Sequence, residues 1–197
     1  LGSALHRLDR VDEAVAEFRR AIEIRPHPWA YTNLGYALYF SERYEESAEA
    51  FRRATALAPS DPITWGNLGN ASRYIAGHGA EAAEAADRAI ALMQERLERN
   101  PVDAGGWGHL AGWLAARQRK DESLRAVERA LGLAPDDVNL VALAGSTYYL
   151  LGSRANAFAC FEQAVRNGYG VARLRRDPEL APLREDPQFR RILELGP

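Results

Sequence analysis

Three stretches of this chain are variations on one string. EAVAEFRRAIEIRP at 13–26, ESAEAFRRATALAP at 46–59 and ESLRAVERALGLAP at 122–135 each run from a glutamate, through a bulky apolar residue and an alanine, to a final proline. The bulky position is Phe18, Phe51, Val127 and, in a further copy, Phe161, with Ala86 as a weaker form between them. Three residues later stand Ala21, Ala54, Ala89, Ala130 and Ala164, separated by 33, 35, 41 and 34 residues. A repeat of this length limits the fold severely. No single copy can bury its apolar face alone, so successive copies must stack and cover one another.

A second marker precedes each string: Leu1-Gly2, Tyr31…Leu34-Gly35, Trp65…Leu68-Gly69, Trp107…Leu110-Ala111 and Val141…Ala144-Gly145 with Tyr148. Its apolar residues recur at the i, i+3, i+4, i+7 spacing of a helix face. The small residue lets two helix backbones approach, and the aromatic fills the space beside it. Proline after the second helix removes an N–H donor and ends it. Thirty-five alanines, together with Arg, Leu and Glu, supply strong helix formers throughout. The pattern predicts helix pairs at 1–8/11–24, 28–40/44–57, 62–76/80–99, 103–116/121–133 and 138–151/154–167, with turns at Ser41-Glu42-Arg43, Gly77-His78-Gly79, Arg119-Lys120-Asp121 and Gly152-Ser153.

Over residues 1–168 the chain resembles the tetratricopeptide repeat family, whose helix–turn–helix unit has about this length. The resemblance implies an all-α, right-handed superhelical solenoid. Its units are expected at 1–27 (incomplete), 28–61, 62–103, 104–137 and 138–168, with capping helices over 169–197. Two positions depart from the family pattern: Ala86 replaces the large second-helix residue, and Tyr169 stands where the fifth unit should carry proline. After Gly168 the pattern changes, and Asp177-Pro178 and Asp186-Pro187 are N-cap and first-turn signals for two short helices. Phe189, Ile192 and Leu193 form the apolar face of the second. This tail is also similar to the closing segment of such arrays in bacterial multidomain signalling proteins (Ser/Thr kinases, adenylate cyclases and winged-helix regulators). The chain starts at Leu1 without a Met, which points to a fragment of something larger, expected in the cytoplasm.

The third unit is stretched by about two helical turns before Pro101, on the order of 10 Å. Ile90, Met93 and Leu97 continue its apolar stripe into the extension. Val102 and the next helix are expected to cover that stripe; the alternative is that Met93 and Leu97 form a protruding edge for dimerisation or partner docking. Gly105, Gly106, Gly108 and Gly112 crowd the following helix, and each interior Gly costs about 1 kcal/mol against Ala. Close approach by a neighbouring helix or by a ligand must offset that cost.

In arrays of this family the first helix of each pair lines the concave surface. The resemblance then places Thr32, Tyr36 and Tyr39; Gly66, Asn70 and Arg73; Gly108, Gly112 and Ala115; and Ala142, Ser146 and Tyr149 on the inner face. Tyr and Arg often anchor interfaces, and Asn pairs with peptide backbone. The expected function is a non-catalytic scaffold holding a peptide or protein partner along Thr32, Tyr36, Tyr39, Asn70, Arg73, Gly108, Gly112, Ser146 and Tyr149. The tyrosines could instead pack between helices. Some family members grip a C-terminal carboxylate with Lys and Asn. Asn70 matches an asparagine position, but Thr32, Gly66 and Gly108 stand in the lysine slots, so that clamp is incomplete.

Charge and motif content narrow the alternatives. With 25 basic and 27 acidic residues the net charge is −2, which disfavours an RNA-binding helical repeat because nucleic acid demands a basic surplus. No apolar run reaches the length of a membrane span. His6, His27, His78 and His109 lie in different units without metal-ligand spacing, and Cys160 sits among Phe158, Ala159 and Phe161 as a packing residue. Nothing in the sequence calls for a metal, a cofactor or a catalytic residue. A regulatory arm of a kinase or cyclase and a homodimerisation module remain as rival readings.

Overall fold

The computed structural model describes residues 11–196, and these form helices with no strand among them. The helix expected over 1–8, with Leu1-Gly2 and His6, lies outside the described residues. The chain divides into two compact units, 1–92 and 93–197.

The first unit holds α1 (Val11–Ile24), α2 (Pro28–Tyr39), α3 (Tyr44–Leu57), α4 (Pro62–Ser72) and the beginning of α5 (Gly79–Arg99). Helices α2 and α4 start on a proline, where the missing N–H costs nothing. His27 and Asp61 cap them: His27 Nδ1 accepts from the Trp29 N–H, and the Asp61 carboxylate from the Ile63 and Thr64 N–H groups. The Trp65 indole donates to the Pro59 carbonyl at 2.9 Å, tying the start of α4 to the loop before it. Helix α4 stops at Ser72, four residues short of the expected end.

Helix α2 packs between α1 and α3, and α3 in turn packs on α4. One core joins Ala14, Val15 and Phe18 of α1 to Leu34, Ala37 and Leu38 of α2. The next joins Phe51 of α3 to Leu68 and Ala71 of α4. At the α2–α3 crossing a Cβ on Gly35 would lie 2.7 Å from the Phe51 ring, so this glycine is what admits the ring. Ser47, fully buried, donates across the same crossing to the Gly35 carbonyl at 2.8 Å.

The Ala86 departure has a structural answer. A Cβ on Gly69 would meet backbone rather than a ring: Ala82 O at 3.1 Å and Ala86 N at 3.2 Å. Small residues on α5 (Ala82, Ala85, Ala86 and Ala89, all buried) let the helix backbone itself occupy the space that Phe51 fills one repeat earlier.

The second unit contains the last turns of α5, α6 (Ala104–Ala116), α7 (Lys120–Leu133), α8 (Val138–Leu150), α9 (Arg154–Arg166), α10 (Val171–Arg176), a 3-10 helix (Pro178–Leu183) and α11 (Pro187–Glu194). The packing devices recur. Ser123 donates to the Ala111 carbonyl at 2.8 Å, and a Cβ on Gly145 would lie 2.5 Å from the Phe161 ring. Beyond α9, Leu174, Leu180, Leu183, Phe189, Ile192 and Leu193 pack with Phe158, Phe161 and Val165 into one core. Asp177 and Asp186 cap the helices that follow them, as their Asp-Pro pairs predict. The first of these is 3-10, with Pro182 inside it, and α10 is an additional short helix that the pattern did not announce.

The extension of α5 serves the helix that follows. Arg96 pairs with the Asp103 carboxylate at 2.9 Å, and Asp103 caps α6 through the Gly106 N–H. Leu97 fills the space beside Gly106, 3.1 Å from where a Cβ would stand. Met93 and Leu97 are therefore core residues, 1% and 3% exposed, as the covered reading of the stripe expects, and the alternative of a protruding edge there does not hold. Val102, at 66% exposure, takes no part in covering them.

The turn between paired helices repeats a left-handed residue. Gly77 (φ 80°) and Gly152 (φ 76°) occupy it naturally, whereas Glu42 and Gln118 do so at φ 59° with a Cβ. For an L-residue that conformation costs about 1–2 kcal/mol, and the extra chain entropy of Gly takes back about half. Gln118→Gly and Glu42→Gly are each expected to stabilise the chain by about 0.5–1 kcal/mol in urea unfolding; Gly152→Ala should destabilise it by a similar amount.

Candidate functional site

In the first unit, α2 and α4 present a shared polar surface. Thr32 and Thr64 approach with Oγ1 atoms 3.4 Å apart, and Thr64 also donates to its cap Asp61. One turn further along, Tyr36 rests edge-on against Phe51 with ring centroids 5.7 Å apart, which fixes its ring from beneath. Burial raises the Tyr36 pKa, the Asn67 side chain pulls it the other way by hydrogen bonding, and the Asp61 charge raises it further. The phenol thus stays protonated at neutral pH. Asn67 and Asn70 follow at i, i+3 on α4, both partly exposed, and Arg73 closes the helix with its guanidinium over the Tyr74 ring at 5.8 Å.

Several expected inner-face residues are elsewhere. Tyr39 is buried, packed edge-on against Phe40, Tyr44 and Tyr74, so it belongs to an aromatic core at the end of the helix pair. Gly66 is buried too, since the partly exposed stripe of α4 runs through Ile63, Asn67 and Asn70. Asn67 escaped the sequence reading. Its signal was register: Asn33, Asn67 and His109 each stand one residue before the leucine of the recurring marker.

The second unit offers a closed surface. A Cβ on Gly108 would lie 2.5 Å from Leu140 Cδ1 and 3.1 Å from Leu143 Cδ2, so this glycine serves helix packing against α8. Ala115, Ala142 and Ser146 are buried. Gly112 and Tyr149 stay partly exposed, and a Cβ on Gly112 would have ordinary clearance, 3.7 Å from Thr147 Oγ1.

The described histidines have local partners. His27 is the α2 cap. His109 stacks on Trp113 at 5.8 Å, and burial lowers its pKa, so it is a neutral ring. His78 bonds Glu81 at 2.9 Å. Burial pushes the half-buried Cys160 thiol up, away from a reactive thiolate. No group of His, Cys, Asp or Glu among the described residues could hold a metal ion, and no described helix is long and apolar enough to cross a membrane.

The strongest electrostatic cluster of the first unit joins α3, α4 and α5. Glu81 accepts from Arg52 at 2.6 and 3.0 Å, from Ser72 at 3.0 Å and from His78 at 2.9 Å. Those donors, Arg52 foremost, bring its pKa from 4.5 to about 2. A depressed carboxylate stabilises the fold above its unfolded value, and the contribution is lost as pH falls toward about 2. Between pH 6 and pH 3 the wild type should therefore lose more unfolding free energy than Glu81→Gln, by on the order of 1–2 kcal/mol at this partly exposed site.

Paired helices repeated along a chain, locked by small-residue and ring contacts and carrying polar side chains on their first helices, define an α-solenoid built to present a surface. Models of the tetratricopeptide repeat match residues 1–28, 28–61 and 139–167. Those segments carry tetratricopeptide repeats, whose family members bind protein or peptide partners and whose fold is typically a non-catalytic interaction module. The chain is a protein-interaction scaffold in that general sense. Among solved structures it is similar to TTC0263, a thermophilic repeat protein of Thermus thermophilus (20% identity, 92% of this chain and 96% of that one, TM-score 0.66). It is also similar to a structure of MamA AMB-1 (21% identity, 86% and 96%, TM-score 0.50). At these identities the likeness is one of fold. No curated protein matches the sequence.

Proposed function

We propose that the α2–α4 surface of the first unit binds an extended peptide or protein segment, with Tyr36, Asn67, Asn70 and Arg73 as its polar contacts and Thr32 at its edge. The observation that carries this reading is the fixed, protonated Tyr36 hydroxyl beside partly exposed Asn67 of the neighbouring helix, with Asn70 one turn further along that helix. A phenol and two amides offer both donors and acceptors to a peptide backbone. Their positions are set by the helix cores, so association orders few side chains.

Of the other residues first considered, Gly112 and Tyr149 offer a separate contact within the second unit. Tyr39, Gly108 and Ser146 act from the cores of their own units. The module acts without catalysis, and its partner is a protein rather than a nucleic acid, because the net charge of −2 supplies no basic surplus. The repeating modules are read as 28–61, 62–103, 104–137 and 138–168, closed by 169–197.

A displayed library of random peptides, selected on the wild type, tests the reading. Tyr36→Phe with Asn70→Ala removes polar groups and leaves the Tyr36 ring packing intact. Peptides enriched on the wild type should lose at least about tenfold in affinity for this variant, the cost of losing one or two good hydrogen bonds, at a temperature where circular dichroism shows both proteins fully folded. Equal affinity, or no enrichment over background, would defeat the proposal.

A further inference from the structure

Helix α10 follows directly on Tyr169, the residue that replaces the proline expected after the fifth unit. The unannounced helix and the departure from the pattern have one joint consequence. Gly168, left-handed at φ 97°, turns the chain at the end of α9, and the Tyr169 ring packs on the core of Val141, Ala142 and Ala164. Arg173 of α10 lies over that ring, its guanidinium carbon 5.5 Å from the centroid. It also donates from Nη1 to Asn139 Oδ1 on the first turn of α8 at 2.9 Å. An aromatic face and a neutral amide thus hold this arginine. Others in the second unit are held differently: Arg96, Arg119, Arg154, Arg166 and Arg190 each face a carboxylate. Arg173 is exposed, and among the described residues no ion pair takes up its charge.

We propose that Arg173 and Asn139 form an anion-binding site in the second unit, which takes a carboxylate side chain from an acidic segment of a protein partner. A guanidinium can only donate, so the Asn139 amide must turn its oxygen to Arg173, and its own N–H groups remain as donors beside the cation. Together the two side chains offer several N–H groups to the two oxygens of a carboxylate, and hydrogen bonds assisted by charge are about twice as strong as neutral ones. The Tyr169 ring and the bond to Asn139 already restrict the Arg173 side chain, so less freedom is lost when a ligand arrives. Helix α10 adds Arg175 and Arg176 and carries no acidic residue, which makes the surroundings complementary to a run of acids. Leu143, partly exposed, stands one turn after Asn139 on the same face of α8 and offers contact to an apolar neighbour of the bound acid. A protein segment fits this site better than nucleic acid, since the chain as a whole has a net charge of −2. The site lies apart from the α2–α4 surface and stands or falls without it.

Nuclear magnetic resonance of the intact, nitrogen-15-labelled chain reads the site through the Arg173 Nε–H and the Asn139 side-chain amide. The probe is a short peptide of alternating Glu and Ala, blocked at both ends so that no terminal carboxylate contributes; its counterpart carries Gln for Glu. At low salt the acidic peptide should shift both resonances to saturation, and the Gln peptide should bind at least about tenfold more weakly. Arg173→Gln, read at the Asn139 amide, should cost about tenfold in affinity for the acidic peptide. Arg129→Gln, at an exposed arginine of α7, should leave that affinity unchanged. Equal affinity for the two peptides overturns the proposal, as does an Arg173→Gln variant that binds the acidic peptide as the wild type does. So does tighter binding of a single-stranded RNA oligonucleotide that is lost in Arg173→Gln, because the site would then serve another class of partner.

Discussion

Replacing Phe51 by alanine is expected to remove about 3–5 kcal/mol from the stability of the first unit. The ring is 1% exposed and touches α2 and α4 at once, lying over Gly35 and against Leu68 and Ala71. The residue of α2 that faces the ring most closely, Gly35, has no side chain with which to fill the vacancy. A loss of that size is a large share of a domain's usual stability of about 5–15 kcal/mol. In an array stabilised by neighbours, it should appear first as local opening of α2–α4. Hydrogen exchange there should accelerate while α8 and α9 remain protected. The same change removes the edge contact beneath Tyr36, so peptides selected on the wild type should bind more weakly even at temperatures where the variant stays folded. Urea unfolding that shows less than about 1.5 kcal/mol of loss would mean that Phe51 is not the keystone of this crossing.

Gly145→Ala should destabilise the second unit by about 1–3 kcal/mol, although alanine is the better helix former by about 1 kcal/mol. The added Cβ would stand 2.5 Å from Phe161 Cε1. Phe161 is fully buried and braced by Phe189, with ring centroids 5.8 Å apart, so it has little room to move. The contrasting position is Gly132, where a Cβ would meet nothing within 4 Å. There propensity decides alone, and alanine should stabilise by a few tenths of a kcal/mol. Combining Gly145→Ala with Phe161→Leu tests the cause. The double variant should be more stable than the sum of the two single losses allows, since each change relieves the other. Strict additivity would place the cost of Gly145→Ala somewhere other than the ring.

These two positions show why the architecture was readable from the chain. The small residue in each first helix and the bulky one in most second helices recur at near-constant spacing, and stacked helix pairs satisfy a spacing that constant. Asp61, Asp103, Asp137, Asp177 and Asp186 mark helix starts by a local chemistry that needs no tertiary partner. The left-handed turns at Gly77 and Gly152 were equally plain, while Glu42 and Gln118 hid the same conformation behind ordinary side chains.

Helical periodicity assigned faces correctly only to within about one residue, and that margin governed the candidate site. Tyr39 and Gly66 went to the core and Asn67 came to the surface, because exposure depends on how closely two particular helices cross. Gly108 and Leu97 followed the same logic. Each fits a space that exists only because α6 meets α8 or the end of α5 at one particular distance. The donors on Glu81 include one 29 positions away, and no local pattern announces their meeting. Local chemistry and repetition, written in the order of residues, determined which helices form and that they stack. The closeness of each crossing, a sum of contacts between distant side chains, decided which polar groups were left facing outward.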